Sequence, residues 1–155
     1  MKQENQKSVM ESFSLAGRRA LVTGSARGIG RAIARALAEC GATVAVHGVR
    51  PSDALEQSLA DVRAFTPEST AVTGDLGEPG CAQMLFEATS SAIGAPDIVI
   101  ANASVQVRRP WLEVPESEAL LQMQVNFHAT YQLFQLAYPA MRQQRWGRLI
   151  SVGSV

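Results

Sequence analysis

The chain has 155 residues, of which 46% are hydrophobic and 18% charged; this supports a globular core and excludes an intrinsically disordered chain. Lys+Arg and Asp+Glu both number 14, so no basic excess points to nucleic acid or to an anionic membrane surface. The two cysteines, Cys40 and Cys81, are widely separated, which excludes a disulfide scaffold or a zinc site and fits a reducing, cytoplasmic setting with no metal.

Residues 1–12, MKQENQKSVMES, are polar, lack the apolar stretch of a signal peptide and read as a flexible tail. No apolar run approaches the length of a bilayer span, and residues 13–155 read as one domain. Arg19–Thr23 (RALVT) is a buried strand. Gly28–Cys40 follows as a helix, with Ile29, Ile33, Ala36, Leu37 and Cys40 at helical spacing. Gly41 stands where a helix C-terminal glycine belongs. Thr43–Val46 is the second strand. Pro51, Ser52 and Asp53 then open a helix, Asp53 acting as its cap, with Leu55, Leu59, Val62 and Phe65 on one face.

Residues 69–75 (STAVTGD) hold a third strand, and Pro79 starts a helix that reaches Ile93 before Gly94. Asp97–Ala103 (DIVIANA) is a fourth, β-branched strand. A long helical stretch runs from Glu116 to Gln144, bent near Pro139. Gly147–Ser154 forms the fifth strand and its exit turn. Continuous apolar strands alternating with helices predict an α/β fold, a doubly wound parallel sheet of the Rossmann type. Its right-handed crossovers cover both faces.

The first strand runs through a glycine-rich turn, LVTGSARGIG, into the first helix. Such a turn aims unpaired backbone N–H groups outward, and the helix dipole adds positive charge there. Gly24, Gly28 and Gly30 let the chain turn sharply and let a pyrophosphate approach the backbone. An ordinary βα loop would use the same glycines for turn geometry alone. The position in the first βα unit favours the phosphate site.

The segment TGSARGIG (Thr23–Gly30) resembles the T-G-x-x-x-G-x-G motif of the short-chain dehydrogenase/reductase family. Further positions agree in order. Asp75 and Leu76 follow the third strand, where the family places an aspartate against the adenine. ANAS (Ala101–Ser104) stands at the family's N-N-A-G, and Asn126 in its V-N context. GRLISVGSV resembles the family's G-R-I-V-N-I-S-S-V strand. Ala101, Ser104 and Gly153 depart from these patterns, whereas Asn102 and Ala103 are retained.

The resemblance spans Leu15 to Val155 and implies a sheet of about seven strands, of which five are present. It implies hydride transfer between a nicotinamide coenzyme and a small carbonyl or alcohol substrate, such as a 3-oxoacyl thioester or a sugar alcohol. It makes Ser154 the catalytic serine and Asn126 the asparagine of a proton relay. Coenzyme contacts fall to Gly24, Ser25, Ala26, Arg27, Gly28, Ile29, Gly30, Asp75, Leu76, Asn102, Ala103 and Ser104. A Y-x-x-x-K motif is expected after Ser154 to supply the acid/base tyrosine and its lysine. The sequence ends at Val155; it reads as the N-terminal part of such a reductase, able by itself to bind coenzyme but not to turn over. A dinucleotide-binding module without catalysis is the alternative.

An acid about 20 residues after the glycine turn would bind the ribose hydroxyls and favour NAD. That region reads VHGVR, with no acid, while Arg27 and Arg50 suit a 2′-phosphate. NADP(H) is therefore expected, with NAD as the alternative. His47 reads as a structural residue or as part of the adenosine pocket. Arg108, Arg109 and Trp111 read as a surface loop beside the active-site mouth. Cys40 reads as helix core and Cys81 as partly exposed. Tyr131 and Tyr138 pack the long helix, on which His128 faces away from Asn126. The apolar positions of Leu120–Phe134 read as core. In the resembling family this helix also builds a subunit interface, so a homo-oligomer is expected.

Overall fold

The computed structural model describes residues 13–153. Five strands, β1 (Arg19–Val22), β2 (Thr43–Gly48), β3 (Thr70–Thr73), β4 (Ile98–Ala101) and β5 (Arg148–Ser151), form one sheet in the order β3-β2-β1-β4-β5. Every pairing is parallel. The helices are α1 (Gly28–Glu39), α2 (Asp53–Arg63), α3 (Cys81–Ile93), α4 (Glu116–Met123) and α5 (Ala129–Gln143). This is the doubly wound fold that the alternation of strands and helices predicts.

Each central strand feeds two cores because its side chains alternate between faces. Ala20, Val22, Val44, Val46, Ile98 and Ile100 meet Ala34 and Ala38 of α1 and Leu55 and Val62 of α2. Leu21, Ala45, Val72 and Val99 meet Leu85 of α3 and Leu133, Ala137 and Met141 of α5. The N-terminal ends of β1 and β4 are tied by Asp97, whose carboxylate accepts from Arg19 Nε at 2.9 Å and from Gln144 Nε2 at 2.7 Å.

The buried stripe of α1 is Gly30, Ala34 and Ala38. It is not the stripe of larger residues that helical spacing suggests. Small residues let the helix axis lie close to the sheet. Ile33 and Leu37 then pack only at its flanks, and Ile29 is left 65% exposed at the mouth of the turn. Cys40 is half-buried at the helix end, and Gly41 takes φ +94° there. Ser52, not Asp53, caps α2 by accepting from the Leu55 N–H at 3.3 Å; Asp53 is the first helical residue. Phe65 lies beyond that helix and is exposed beneath Arg35.

Gly80 precedes α3 in a left-handed conformation that interrupts any right-handed helix begun at Pro79. The helix therefore starts at Cys81, which is buried rather than partly exposed. Pro139 lies inside α5 without ending it. The break in the long helix falls instead at Gln124–His128, a π-turn between α4 and α5. From α4 through α5 only Val125, Ala129, Leu133, Ala137 and Met141 are buried. Leu120, Leu121, Met123 and Phe127 are exposed, contrary to a core assignment. All four residues of β5, at one of the sheet's two edges, are exposed as well.

Candidate functional site

Chain order reverses across the β1–β4 pair: β1 leads to β2 on one side, while β4 and β5 lie on the other. In open parallel sheets the crevice above the C-terminal strand ends at such a point receives ligands. Two segments wall it here. One is the glycine turn after β1, and the other is the segment from Asn102 to Val105 after β4.

Thr23 is the hinge between them. Its hydroxyl accepts from the N–H groups of Asn102 and Ala103, both at 3.0 Å. The Asn102 amide donates back to the carbonyls of Thr23 at 3.0 Å and Gly24 at 3.1 Å. The glycines fit this closeness. A Cβ at Gly24 would lie 2.8 Å from Ala103 Cα, and one at Gly30 would lie 2.4 Å from the Gly24 carbonyl oxygen. Gly28 has open space beside it but takes φ +58°. Helix α1 starts with Arg27 at its N-cap, no side-chain cap and no acid in its first turn. Its first N–H groups have no intrahelical acceptor, and its positive dipole end is uncompensated. Gly28 and Ile29 are exposed at this end.

Ser25 is fully buried and all its polar groups are used internally. Its hydroxyl donates to Val22 O at 2.7 Å and accepts from His47 N–H at 2.8 Å. Its N–H donates to His47 O at 2.9 Å, and its carbonyl accepts from Ser58 Oγ at 2.7 Å. Ser25 shapes the turn rather than presenting a group to a ligand. His47, 1% exposed, joins three strand ends. The Gly24 N–H donates to its Nδ1 at 3.0 Å, and its Nε2 lies 2.9 Å from Gly74 O. A backbone N–H can only donate, so Nδ1 accepts and Nε2 carries the proton. Burial lowers its pKa, more than the Gly74 bond and Asp75 raise it, so the ring is neutral.

Arg27 and Arg50 are both exposed near this turn; a Cβ at Gly48 would lie 3.6 Å from both Ala26 Cβ and Arg50 O, which places the end of β2 against the turn. Beyond β3, Asp75 is exposed, and its Oδ1 accepts from the Gly77 N–H at 2.8 Å. Leu76 is buried in the core, and its carbonyl accepts from Gln124.

Opposite, Ser104 is exposed and Ala103 half-buried. Asn126 lies in the π-turn and grips Val105, accepting from its N–H at 2.8 Å and donating to its carbonyl at 2.9 Å. Its neighbour His128 instead contacts Gln124 at 3.0 Å. Arg108 and Trp111 are exposed, and Arg109 pairs with Glu118 at 2.7 Å. Ser154 lies outside the described residues. Thr23, Ser58 and Val105 are site-shaping residues that sequence reasoning missed. The threonine opening the glycine motif signals the first; only three-dimensional proximity finds the other two.

The sheet, its reversal and the glycine-walled crevice define a doubly wound domain of the dinucleotide-binding type. A family model described as short chain dehydrogenase matches residues 18–155, and the chain belongs to the short-chain dehydrogenase/reductase family. It is 35% identical to a tropinone reductase homologue of Arabidopsis thaliana, over 94% of this chain and 45% of that protein. It is 32% identical to a 3-oxoacyl-(acyl-carrier-protein) reductase of Pseudomonas aeruginosa, over 92% of this chain and 58% of that one. A crystal structure of an Agrobacterium tumefaciens 3-oxoacyl-(acyl-carrier-protein) reductase with NADP bound superposes with TM-score 0.89 at 36% identity. That match covers 99% of this chain and 59% of the other. The chain thus spans about half the length of the relatives it matches. Among the described residues no helix is long and apolar enough to cross a membrane.

Proposed function

We propose that the protein is an NADP(H)-dependent oxidoreductase that moves a hydride between the nicotinamide and a small carbonyl or alcohol substrate. A 3-oxoacyl thioester or a sugar alcohol is the substrate class we favour. One observation carries the coenzyme assignment. The bare N-terminus of α1 lies beside exposed Arg27 and Arg50, and the β2 exit, His47 to Arg50, holds no acid. The donors suit a pyrophosphate and a 2′-phosphate, whereas a ribose-binding carboxylate would favour NAD. The NADP bound to the Agrobacterium relative supports this reading.

When bound, the coenzyme supplies the hydride. The chain's own residues would hold and orient it. Gly24, Ala26, Gly28, Ile29 and Gly30 leave room at the turn, with Ser25 as the inner brace. Asp75 and the Leu76 backbone would face the adenine, and Asn102, Ala103 and Ser104 would form the opposite wall. Ser154 would polarise the substrate oxygen. Asn126 would have a positioning part in proton relay, because its amide is committed to Val105. A tyrosine and lysine in the Y-x-x-x-K pattern would complete proton transfer. We assign the protein to the cytoplasm and, from the exposed apolar side of α4 and α5, to a homo-oligomer.

Titration of the intact protein with NADPH and NADH, followed by nicotinamide fluorescence, tests the coenzyme assignment. NADPH should bind roughly tenfold tighter or more, the worth of one charge-assisted contact. Tighter NADH binding would overturn it. NADPH consumption with 3-oxoacyl thioesters and with ketoses tests the substrate class.

A further inference from the structure

Besides the wall after β4, the glycine turn has the exit of β3 beside it, and the His47 side chain bonds to both. The turn is gripped at the Gly24 N–H, and the exit of β3 at the Gly74 carbonyl just before Asp75. A serine or asparagine could reach one of these groups, but the imidazole reaches both from opposite sides of its ring. We infer that His47 is a positioning residue for the coenzyme: its neutral ring holds the glycine turn and the Asp75 loop at fixed separation, and coenzyme binding weakens when the ring takes a proton.

A protonated Nδ1 would put one N–H against another at Gly24. The turn would then have to move. Its freedom is small, since Gly24 sits against Ala103 and its carbonyl holds Asn102. A displacement at His47 therefore reaches both walls of the crevice. Asp75, on the β3 exit, is the carboxylate whose field favours the imidazolium. Cys81 of α3 lies under Gly74, its thiol pushed up by burial and therefore neutral. Helix α2 contributes the uncharged Ser58 hydroxyl, and Arg50 follows on the strand's own exit. With the ring 1% exposed, burial outweighs Asp75 and holds it neutral at ordinary pH.

The inference rests on the coenzyme reading above, and the test separates the two. NADPH dissociation constants are measured on the intact protein between about pH 5 and 8. Affinity of the unmodified protein should fall toward the acid end as the ring takes a proton. His47→Asn keeps an acceptor where Nδ1 was and cannot take a proton. It loses the Gly74 contact, so its affinity at neutral pH should lie between those of the unmodified protein and His47→Leu, and the acid dependence it retains measures titration of the coenzyme's own phosphate. His47→Leu removes both hydrogen bonds and should bind roughly tenfold more weakly, or worse, at neutral pH.

Unchanged affinity in His47→Leu, or the same acid dependence in His47→Asn as in the unmodified protein, overturns the positioning role alone. Failure of the unmodified protein to bind either dinucleotide at neutral pH overturns the coenzyme reading and this inference with it. Should either variant fail to fold, ring-nitrogen NMR of the unmodified protein decides. An Nε2–H tautomer that titrates together with NADPH affinity supports the inference, and an Nδ1–H tautomer, or titration apart from affinity, overturns it.

Discussion

Asn102 donates to the carbonyl of Thr23 at 3.0 Å across a sequence separation of 79, and to the Gly24 carbonyl at 3.1 Å. One amide thereby pins the exit of β1 to the exit of β4 where the coenzyme would lie. Asn102→Leu takes the donor from the carbonyls of buried Thr23 and half-buried Gly24. The expected loss is about 1–3 kcal/mol of stability, with NADPH affinity down roughly tenfold. Asn102→Asp should be worse, because a carboxylate faces the same carbonyls. Urea unfolding and NADPH titration on both variants check this; unchanged affinity in both would remove Asn102 from the site.

The glycines of the turn should not respond alike. At Gly30 a methyl group would meet the Gly24 carbonyl at 2.4 Å and the Asn102 amide at 2.5 Å. Gly30→Ala must therefore shift backbone at the crevice, with expected near-complete loss of NADPH binding. At Gly28 no protein atom is in the way, and the cost to the fold is the positive φ, about 1–2 kcal/mol, on top of whatever room the side chain takes from the coenzyme. Gly28→Asn should recover part of that cost, since asparagine tolerates the left-handed region. NADPH titration of the three variants checks the order Gly28→Asn, Gly28→Ala, Gly30→Ala from mildest to most severe.

The sheet was legible because most strands are short apolar runs bounded by glycine or proline, and because strand–helix alternation leaves few topologies. The glycine turn was legible for the same local reason. What escaped was decided by distant partners. Ile29 has helical spacing but is exposed, because the helix needs the small Gly30–Ala34–Ala38 stripe to approach the sheet. Ser25 stands amid the motif yet spends its groups on Val22, His47 and Ser58. His47 is a lone histidine in sequence, and only the fold sets it between Gly24 and Gly74. Asn126 was found by motif, but its hold on Val105 depends on a π-turn that local pattern does not announce.

Asp97 should govern part of the acid sensitivity. Burial pushes its carboxyl up, but hydrogen bonds from Arg19 and Gln144 and the Arg19 charge outweigh this and hold it below the ordinary carboxylate range. The folded value lies below the unfolded one, so the stabilisation is present above about pH 4 and is lost as pH falls through the folded value. Asp97→Asn should remove that acid-dependent component. At neutral pH it should cost about 2 kcal/mol, less than a fully buried pair, because Arg19 is partly exposed and can turn to water. Unfolding midpoints from neutral to acid pH check both effects; parallel curves for the variant and the unmodified protein would contradict the assignment.

Phe127 and Tyr131 stack with ring centroids 6.4 Å apart on the outer side of the long helix, both more than half exposed. Leu120, Met123 and Tyr138 extend this apolar surface, which is the kind that marks an interface rather than a solvated helix face. Under the homo-oligomer proposal, Phe127→Glu with Tyr131→Glu sets like charges against each other across a symmetric contact. The expected result in sedimentation is dissociation to monomer. Neither side chain supports the core, so each protomer's stability should change by no more than about 0.5 kcal/mol per site. An unmodified protein that already sediments as a monomer, or a double variant that stays assembled, would take this face out of any interface.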